Sequence, residues 1–301
     1  MSINISPSVA LFRWSPAAWL RVAGEDAAGF LQGQFSNDLR PLGPPGPRAV
    51  YGLWLSLKGK VLADSFVLRG GAANEFWIGS YFSAAALIRE RLESHVIADD
   101  VVVEDRTAGW AAVSVMGEGA AEFAAEVARA GTLVFPGRRE RSGNFECLFR
   151  VEEGEPKWLA GFGGRWLEAD EVARRRVAAG IPAVPVDLGP ADLPNEAGLE
   201  AEAISFTKGC YLGQEVMARL KAMGQVRRRL VRVQGLGVKL PALPASVFVA
   251  GRPVGELRSA VRDGAGGWMG LAMLSRAFAA AGAGLALAAE GAPDLRLLET
   301  P

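Results

Sequence analysis

Apolar residues at helical spacing predict four helices in the first 180 residues. Each pattern begins near acidic residues or a capping residue such as Ser83, or ends in glycine, and these are typical helix boundaries. The four segments are 25–34, 82–96, 117–131 and 168–180.

Short apolar and β-branched runs between these helices predict strands. The runs read VYGLWLS, KVLADSFVL, EFWIGS, GWAAVSVMG and ECLFRVE. Strands and helices alternate irregularly, which favours an α+β sheet layered with helices over a regular doubly wound series.

Helical periodicity fades after VRRRLVRVQGLG, and the rest of the chain is typical of short strands broken by turns. ASVFVAGRPVGELRSAV and LALAAEGAPDLRLLE have the pattern of hairpins, and GWMGLAML that of a single strand. We therefore expect an α+β region over residues 1–228 and a small antiparallel barrel or sandwich over residues 229–301.

The composition narrows the function classes. A chain of 301 residues is long enough for two domains, and half of it is apolar. Lysine plus arginine and aspartate plus glutamate number 33 each, so the charge balance gives no support for nucleic-acid contact. The N-terminal sequence lacks the pattern of a signal peptide, and no segment is apolar enough to predict a membrane span. With only two cysteines, we expect a cytoplasmic protein.

Metal chemistry is restricted by the small number of soft ligands. Cys147, Cys210 and His95 are the whole set of cysteines and histidines. They cannot form a four-ligand Cys/His zinc site or hold an iron–sulfur cluster by four thiolates, so we expect no metal site of that kind. Cys147 lies in the strand-like run FECLF and is expected in the core.

The remaining thiol, Cys210, lies in FTKGCYLGQEVMARLK, between Gly209 and Gly213, at a turn that is predicted to open a helix. The positive end of that helix and the charge of Lys208 would both favour the thiolate, which predicts a reactive cysteine. A small buried hydrophobe in a tight turn is the alternative, and the residues alone leave both open.

KGCYLGQE resembles the signature of the YgfZ-type folate-binding proteins, relatives of the glycine-cleavage T-protein (aminomethyltransferase) that include mitochondrial iron–sulfur assembly factors. GEDAAGFLQGQFSNDL, GLWLSLKGKVLADSFVL, LPNEAGLE and VGELRSAV resemble further segments of the family, so the resemblance covers nearly the whole chain. It implies a T-protein-like fold, with two α+β folate-binding subdomains around a central cavity and a C-terminal antiparallel β-barrel.

The resemblance also implies a ligand, tetrahydrofolate or a one-carbon derivative. A pterin presents an edge of N–H and C=O groups from which a carboxylate can accept hydrogen bonds. Glu196 matches the glutamate of the family's E-A-G-L segment and is our candidate for this role, with a surface carboxylate as the alternative. The other candidate folate-binding residues belong to the signature and the helix after it: Lys208, Gly209, Tyr211, Gly213, Gln214, Glu215 and Arg219.

Two features separate this chain from T-proteins. T-proteins carry two adjacent acids after the glycine of the second hairpin, where GKVLADS has Ala63 and Asp64, and they lack the thiol of the signature. Both differences favour a folate-dependent accessory protein that supports the assembly or repair of iron–sulfur enzymes, including tRNA-modifying ones. Cys210 would then be the working group. A folate-dependent one-carbon transferase that uses Asp64, and a scaffold without activity, are the alternatives.

Overall fold

The computed structural model describes residues 8–46, 48–280 and 282–298, without the side chain of Met223. Two five-stranded sheets pack face to face in the first part of the chain. The first sheet has the spatial order β3 (Ala49–Leu55), β4 (Val61–Arg69), β5 (Glu75–Ser80), β2 (Ala18–Ala23) and β6 (Val102–Asp105). The second has the order β10 (Arg165–Trp166), β1 (Ala10–Trp14), β7 (Trp110–Met116), β9 (Asn144–Arg150) and β8 (Leu133–Pro136).

Helices cover the outer face of each sheet. The first sheet is covered by α1 (Ala27–Gln34) and α2 (Ala85–Glu93), the second by α3 (Ala120–Arg129) and α4 (Lys157–Ala160). Aromatic and aliphatic residues, among them Trp19, Phe66 and Phe135, fill the space between the sheets. Strand β4 is therefore buried on both faces, which explains its nearly continuous apolar sequence.

The C-terminal strands form a closed barrel in the order β11 (Arg228–Gly235), β14 (Trp268–Ser275), β13 (Arg252–Arg262), β12 (Ala245–Val249), β15 (Leu285–Ala286) and β16 (Leu295–Leu297). Three helices precede it: α5 (Ala169–Ala178), α6 (Glu200–Ala203) and α7 (Gln214–Met223). Strand β11 begins at Arg228, next to the division that we expected between residues 228 and 229. That this point is a domain boundary stays a prediction.

Ion pairs fasten the barrel to the layered part of the chain. Asp192 accepts hydrogen bonds from Arg228 and Arg258, and Asp187 accepts from Arg176 and from the hydroxyl of Ser259. Both carboxylates are buried, so the two parts meet at a polar but closed interface.

The α+β fold and the C-terminal barrel are confirmed, and the four helical patterns lie over α1, α2, α3 and α5. One expected detail is wrong. Ser83 is not the N-cap of α2, which begins after Ala84; its hydroxyl is buried and donates to the carboxylate of Asp64 instead. Within the described ranges, no helix has the length and apolar character needed to cross a bilayer.

Candidate functional site

A cavity of about 180 Å³ lies where three parts of the molecule meet. The segment after β8, the turns around α5 and α6, and strand β11 of the barrel each contribute to its wall. We call it the central cavity.

Positive charge dominates the wall of this cavity. Arg138, Arg141, Arg229 and Arg232 line it, against a single carboxylate, that of Glu202. Arg138 donates to Glu202 at 2.7 Å. Burial, together with the neighbouring Arg141 charge, lowers the pKa of Arg232. The excess of guanidinium groups makes the cavity suited to carboxylate or phosphate groups of a ligand.

Asp64 lies behind Arg138 in the wall. The Arg138 guanidinium lies 3.7 Å from the centre of the Tyr51 ring, and the Tyr51 hydroxyl donates to Asp64 at 3.1 Å. Ser80 and Ser83 donate to its other oxygen at 2.8 Å and 2.9 Å. Burial raises the pKa of the Asp64 carboxyl, although the hydroxyl groups and Arg138 work in the opposite direction. Three hydroxyl donors therefore occupy the carboxylate that sequence reasoning took as a catalytic candidate.

The loop that carries the KGCYLGQE signature, which we call the signature loop, is anchored by a buried ammonium group. Lys208 is only 5% exposed, and its Nζ donates to the carbonyl oxygens of Phe35 at 2.7 Å and Asn37 at 2.9 Å. Burial lowers the pKa of Lys208 to about 8. The side-chain amide of Asn37 donates in turn to the carbonyl oxygens of Tyr51 and Glu202. Asn37 thus connects the base of the signature loop to two residues of the cavity region.

Cys210 lies at the exposed part of this loop. Its neighbour Gly209 has open space around it, because a Cβ added there would meet no atom within 4 Å. The exposure excludes a buried-hydrophobe role for Cys210, whereas Cys147 is buried as expected. The sequence predicted that the Lys208 ammonium and the N-terminus of the following helix would both favour the thiolate, but neither is placed as expected. The Lys208 ammonium faces inward, and α7 begins four residues later, at Gln214.

Glu196 lies just outside the cavity wall, to which its neighbour Ala197 contributes. Its carboxylate accepts two hydrogen bonds from Arg228 of the barrel, both at 2.9 Å, and one from the backbone N–H of Leu193. A pterin would have to compete with Arg228 for these oxygens, so the role of Glu196 in folate binding stays a prediction.

The other candidates surround the loop. Tyr211 is buried in the core, and burial raises its pKa to about 12. Gly213 is the N-cap of α7 and has a positive φ of 86°. Gln214 is the first residue of that helix, and Glu215 and Arg219 form an exposed ion pair at 3.5 Å.

Sequence reasoning missed the residues that line or support the cavity: Asn37, Tyr51, Arg138, Arg141, Glu202 and Arg232. Asn37 lies in one of the segments that carried the family resemblance, and this was the available signal. Arg138 and Glu202 are 64 residues apart, and only the fold brings them together. Among the described residues, no group of three or more histidine, cysteine, aspartate or glutamate side chains could hold a metal ion.

Comparison with known proteins gives the family. Residues 4–134 match the family model described as the GCVT N-terminal domain. The iron-sulfur cluster assembly factor IBA57, mitochondrial, of Homo sapiens is 33% identical over 286 residues, which cover 88% of this chain and 77% of the relative. The chain belongs to the IBA57-type, YgfZ/GcvT-like family. The corresponding protein of Mus musculus is 30% identical over 284 residues, with coverages of 87% and 76%.

Two further comparisons agree, the first with the family and the second with the fold. The tRNA-modifying protein YgfZ of Edwardsiella ictaluri is 40% identical over 78 residues, which cover 26% of this chain and 22% of the relative. The glycine cleavage system aminomethyltransferase T of Bartonella henselae has a similar structure, with a TM-score of 0.81 at 17% identity over 98% of this chain and 86% of that chain. The resemblance expected from the signature and the T-protein-like fold are both confirmed.

Proposed function

We propose that this protein is a folate-binding accessory factor that supports the assembly or repair of iron–sulfur proteins, tRNA-modifying enzymes among them, through the thiol of Cys210. The names of the human and bacterial relatives, an iron–sulfur cluster assembly factor and a tRNA-modifying protein, support this proposal.

The observation that carries it is the position of Cys210. The thiol is exposed on a loop whose base is fixed by Lys208, and Asn37 connects that base to the wall of the arginine-lined cavity. An exposed thiol on an anchored loop can reach a partner protein while the cavity beside the loop holds a small molecule.

Folate fits the chemistry of the cavity in part. Its glutamate carboxylates are suitable acceptors for the guanidinium groups of Arg229 and Arg232. The cavity volume of about 180 Å³ is below the range usual for whole ligands, roughly 300 to 1,000 Å³. The cavity therefore takes one portion of the folate, and the rest extends out of the opening.

A partner is required for any work on a cluster. An iron–sulfur cluster in a protein is generally held by four cysteine ligands. Cys210 is the single exposed thiol among the described residues, so it supplies at most one ligand to a shared cluster, and the partner supplies the others.

The folate part is tested by calorimetric titration of tetrahydrofolate into three proteins: wild type, Arg229→Ala and Arg227→Ala. Both arginines are exposed, but Arg229 lines the cavity and Arg227 does not contribute to its wall. Loss of a charge-assisted hydrogen bond should weaken binding by roughly tenfold or more in Arg229→Ala and leave Arg227→Ala near wild type. Equal affinities in all three, or no binding to any of them, would contradict the assignment.

The thiol part is tested in cells that lack the natural gene, by the activity of iron–sulfur enzymes after expression of wild type or Cys210→Ser. The proposal expects activity to be restored by wild type and not by Cys210→Ser. Asp64→Asn separates it from one-carbon transfer. A transferase would release formaldehyde or methylene-folate in an Asp64-dependent reaction and would tolerate Cys210→Ser.

A further inference from the structure

A second concave site lies beside the signature loop, separate from the central cavity. It is a groove of about 410 Å³ between the α6 region and the C-terminal half of α7, and we call it the α6–α7 groove. It shares no lining residue with the central cavity. Its lining is Asn195, Glu200, Ala201, Ile204, Phe206, Leu220, Lys221, Gly224, Gln225 and Val226.

Two hydrogen-bond acceptors of this groove are unused. Oε2 of Glu200 and Oδ1 of Asn195 are shielded from solvent and have no hydrogen-bond partner in the part of the chain that the structure describes. Leaving a buried acceptor in this state is unfavourable, because it has lost its hydrogen bonds to water and gained none in the protein. The neighbouring acids are different, since Glu196 is paired with Arg228 and Glu202 with Arg138. Glu200 therefore lacks the donor that the fold supplies to its neighbours.

One wall of the groove already binds a cation. The Nζ of Lys221 lies 4.2 Å from the centre of the Phe206 ring. Lys221 is an exposed side chain on α7, so it can leave the ring without disturbing the core. A guanidinium group interacts with an aromatic face as a cation and also stacks on it as a flat group, which an ammonium cannot do.

We propose that the α6–α7 groove binds an arginine side chain of the partner protein that Cys210 serves. The guanidinium replaces Lys221 on Phe206 and donates to Glu200 and Asn195, whose terminal groups turn toward it about their soft final torsions. Both free groups are acceptors, and arginine offers five donors and no acceptor, so the hydrogen-bonding character matches. Ile204 and Leu220 line the groove and receive the aliphatic stem of the arginine.

The groove is close enough to the thiol to orient a partner. Phe206 precedes Cys210 by four residues, which span at most about 14 Å of extended chain. An arginine held at Phe206 therefore brings the partner surface around it within reach of Cys210. The proposal rests on the proposed function only in naming this partner, because the groove is tested without folate or a cluster.

The test is an NMR titration with Nα-acetyl-L-arginine amide, which carries the side chain without a charged backbone. Nα-acetyl-L-lysine amide and Nα-acetyl-L-citrulline amide are the matched probes, one a cation without the flat fork and the other a flat group without the charge. The proteins are wild type, Glu200→Gln, and Glu93→Gln as a control at an exposed carboxylate on the last turn of α2.

We expect saturable shifts confined to residues 195–206 and 220–226 with the arginine probe. Removal of the charged acceptor in Glu200→Gln should weaken binding by roughly tenfold, while Glu93→Gln should bind like wild type. The proposal is overturned by scattered or absent shifts, by equal binding of the three probes, or by unchanged affinity in Glu200→Gln. Each of these results leaves the tetrahydrofolate titration unaffected, so the two proposals fail separately.

Discussion

The Nζ of Lys208 lies 2.7 Å from the carbonyl oxygen of Phe35, a residue 173 positions earlier in the chain. This hydrogen bond ties the signature loop to the turn after α1. The lysine of the signature is therefore an anchor for the loop, and the exposed residues that follow it, Gly209 and Cys210, are held at a fixed place near the cavity.

The buried ammonium predicts a dependence of stability on alkaline pH. The pKa of Lys208 is about 8 in the folded protein, against an ordinary value of 10.5. Between these values the unfolded chain binds a proton that the folded chain has lost, so this group makes the folded state more stable as pH rises. We expect wild type to gain up to about 3 kcal/mol relative to Lys208→Met between about pH 8 and pH 10.5. Urea unfolding across this range measures it, and parallel curves for the two proteins would disagree with it.

The two cysteines should differ sharply in accessibility. Cys210 is exposed, whereas Cys147 is fully buried, and burial followed by the nearby Glu146 charge raises the pKa of the Cys147 thiol well above its ordinary value. Iodoacetamide should therefore label one site in the native protein and two in urea, as read by mass spectrometry. Cys210→Ser should show no rapid native labelling. Rapid modification of Cys147 in folded protein would show that strand β9 opens far more readily than its burial implies.

The sequence predicted the features that local pattern determines. Apolar spacing located the main helices, and the glycine-rich turn of KGCYLGQE predicted the start of α7, whereas the residues alone left an exposed and a buried thiol open. It failed where tertiary contacts decide. Ser83 has the residue type of a helix cap, yet the fold places its hydroxyl against Asp64, because a buried carboxylate needs donors more than a helix end near solvent does.

The wall of the cavity was beyond sequence reasoning for a related reason. Arg138 comes from the segment after β8, Glu202 from α6 and Arg229 from the barrel, so no window of sequence contains the cluster. Strands β1, β2, β6, β8 and β10 were also missed. They are short, and the first two lie in a segment whose apolar residues show no clear alternation.

The two glycines around the thiol should respond differently to alanine. Gly213 has a positive φ of 86°, and a Cβ there would lie 2.7 Å from the carbonyl oxygen of Ser56 and 3.1 Å from the Cβ of Leu55. Gly213→Ala should therefore lower the free energy of unfolding by about 2–4 kcal/mol, from strain and a steric clash together. Chemical denaturation measures the loss.

Gly209→Ala is the matched control, because a Cβ there meets no atom within 4 Å and the backbone is not in the left-handed region. Its stability should stay within about 0.5 kcal/mol of wild type. A large loss at position 209, or none at position 213, would show that the loop differs from this description. If Gly209→Ala folds normally but fails to support iron–sulfur enzymes in cells, the open space beside Cys210 serves the partner.

The ion pairs of Asp192 should decide how firmly the barrel is attached. Asp192 is 2% exposed and accepts from Arg258 at 2.5 Å and Arg228 at 2.9 Å. Burial alone would raise its pKa, but the hydrogen bonds from Arg258 and Gly189 outweigh burial and leave the pKa lowered. Asp192→Asn leaves two guanidinium groups without their shared charge, which should cost about 3–5 kcal/mol of unfolding free energy at pH 7.

The same carboxylate predicts an acid dependence with a definite sign. Because the folded pKa is lowered, the stabilisation is present above the unfolded value of about 4 and is lost as pH falls through the folded value. The difference between wild type and Asp192→Asn should therefore shrink in urea unfolding below about pH 4. Glu256→Gln is the control, since Glu256 also pairs with Arg258 but is about half exposed, and its loss should cost at most about 1 kcal/mol. If the two variants lose equal stability at pH 7, the buried pairs of Asp192 do not fasten the barrel.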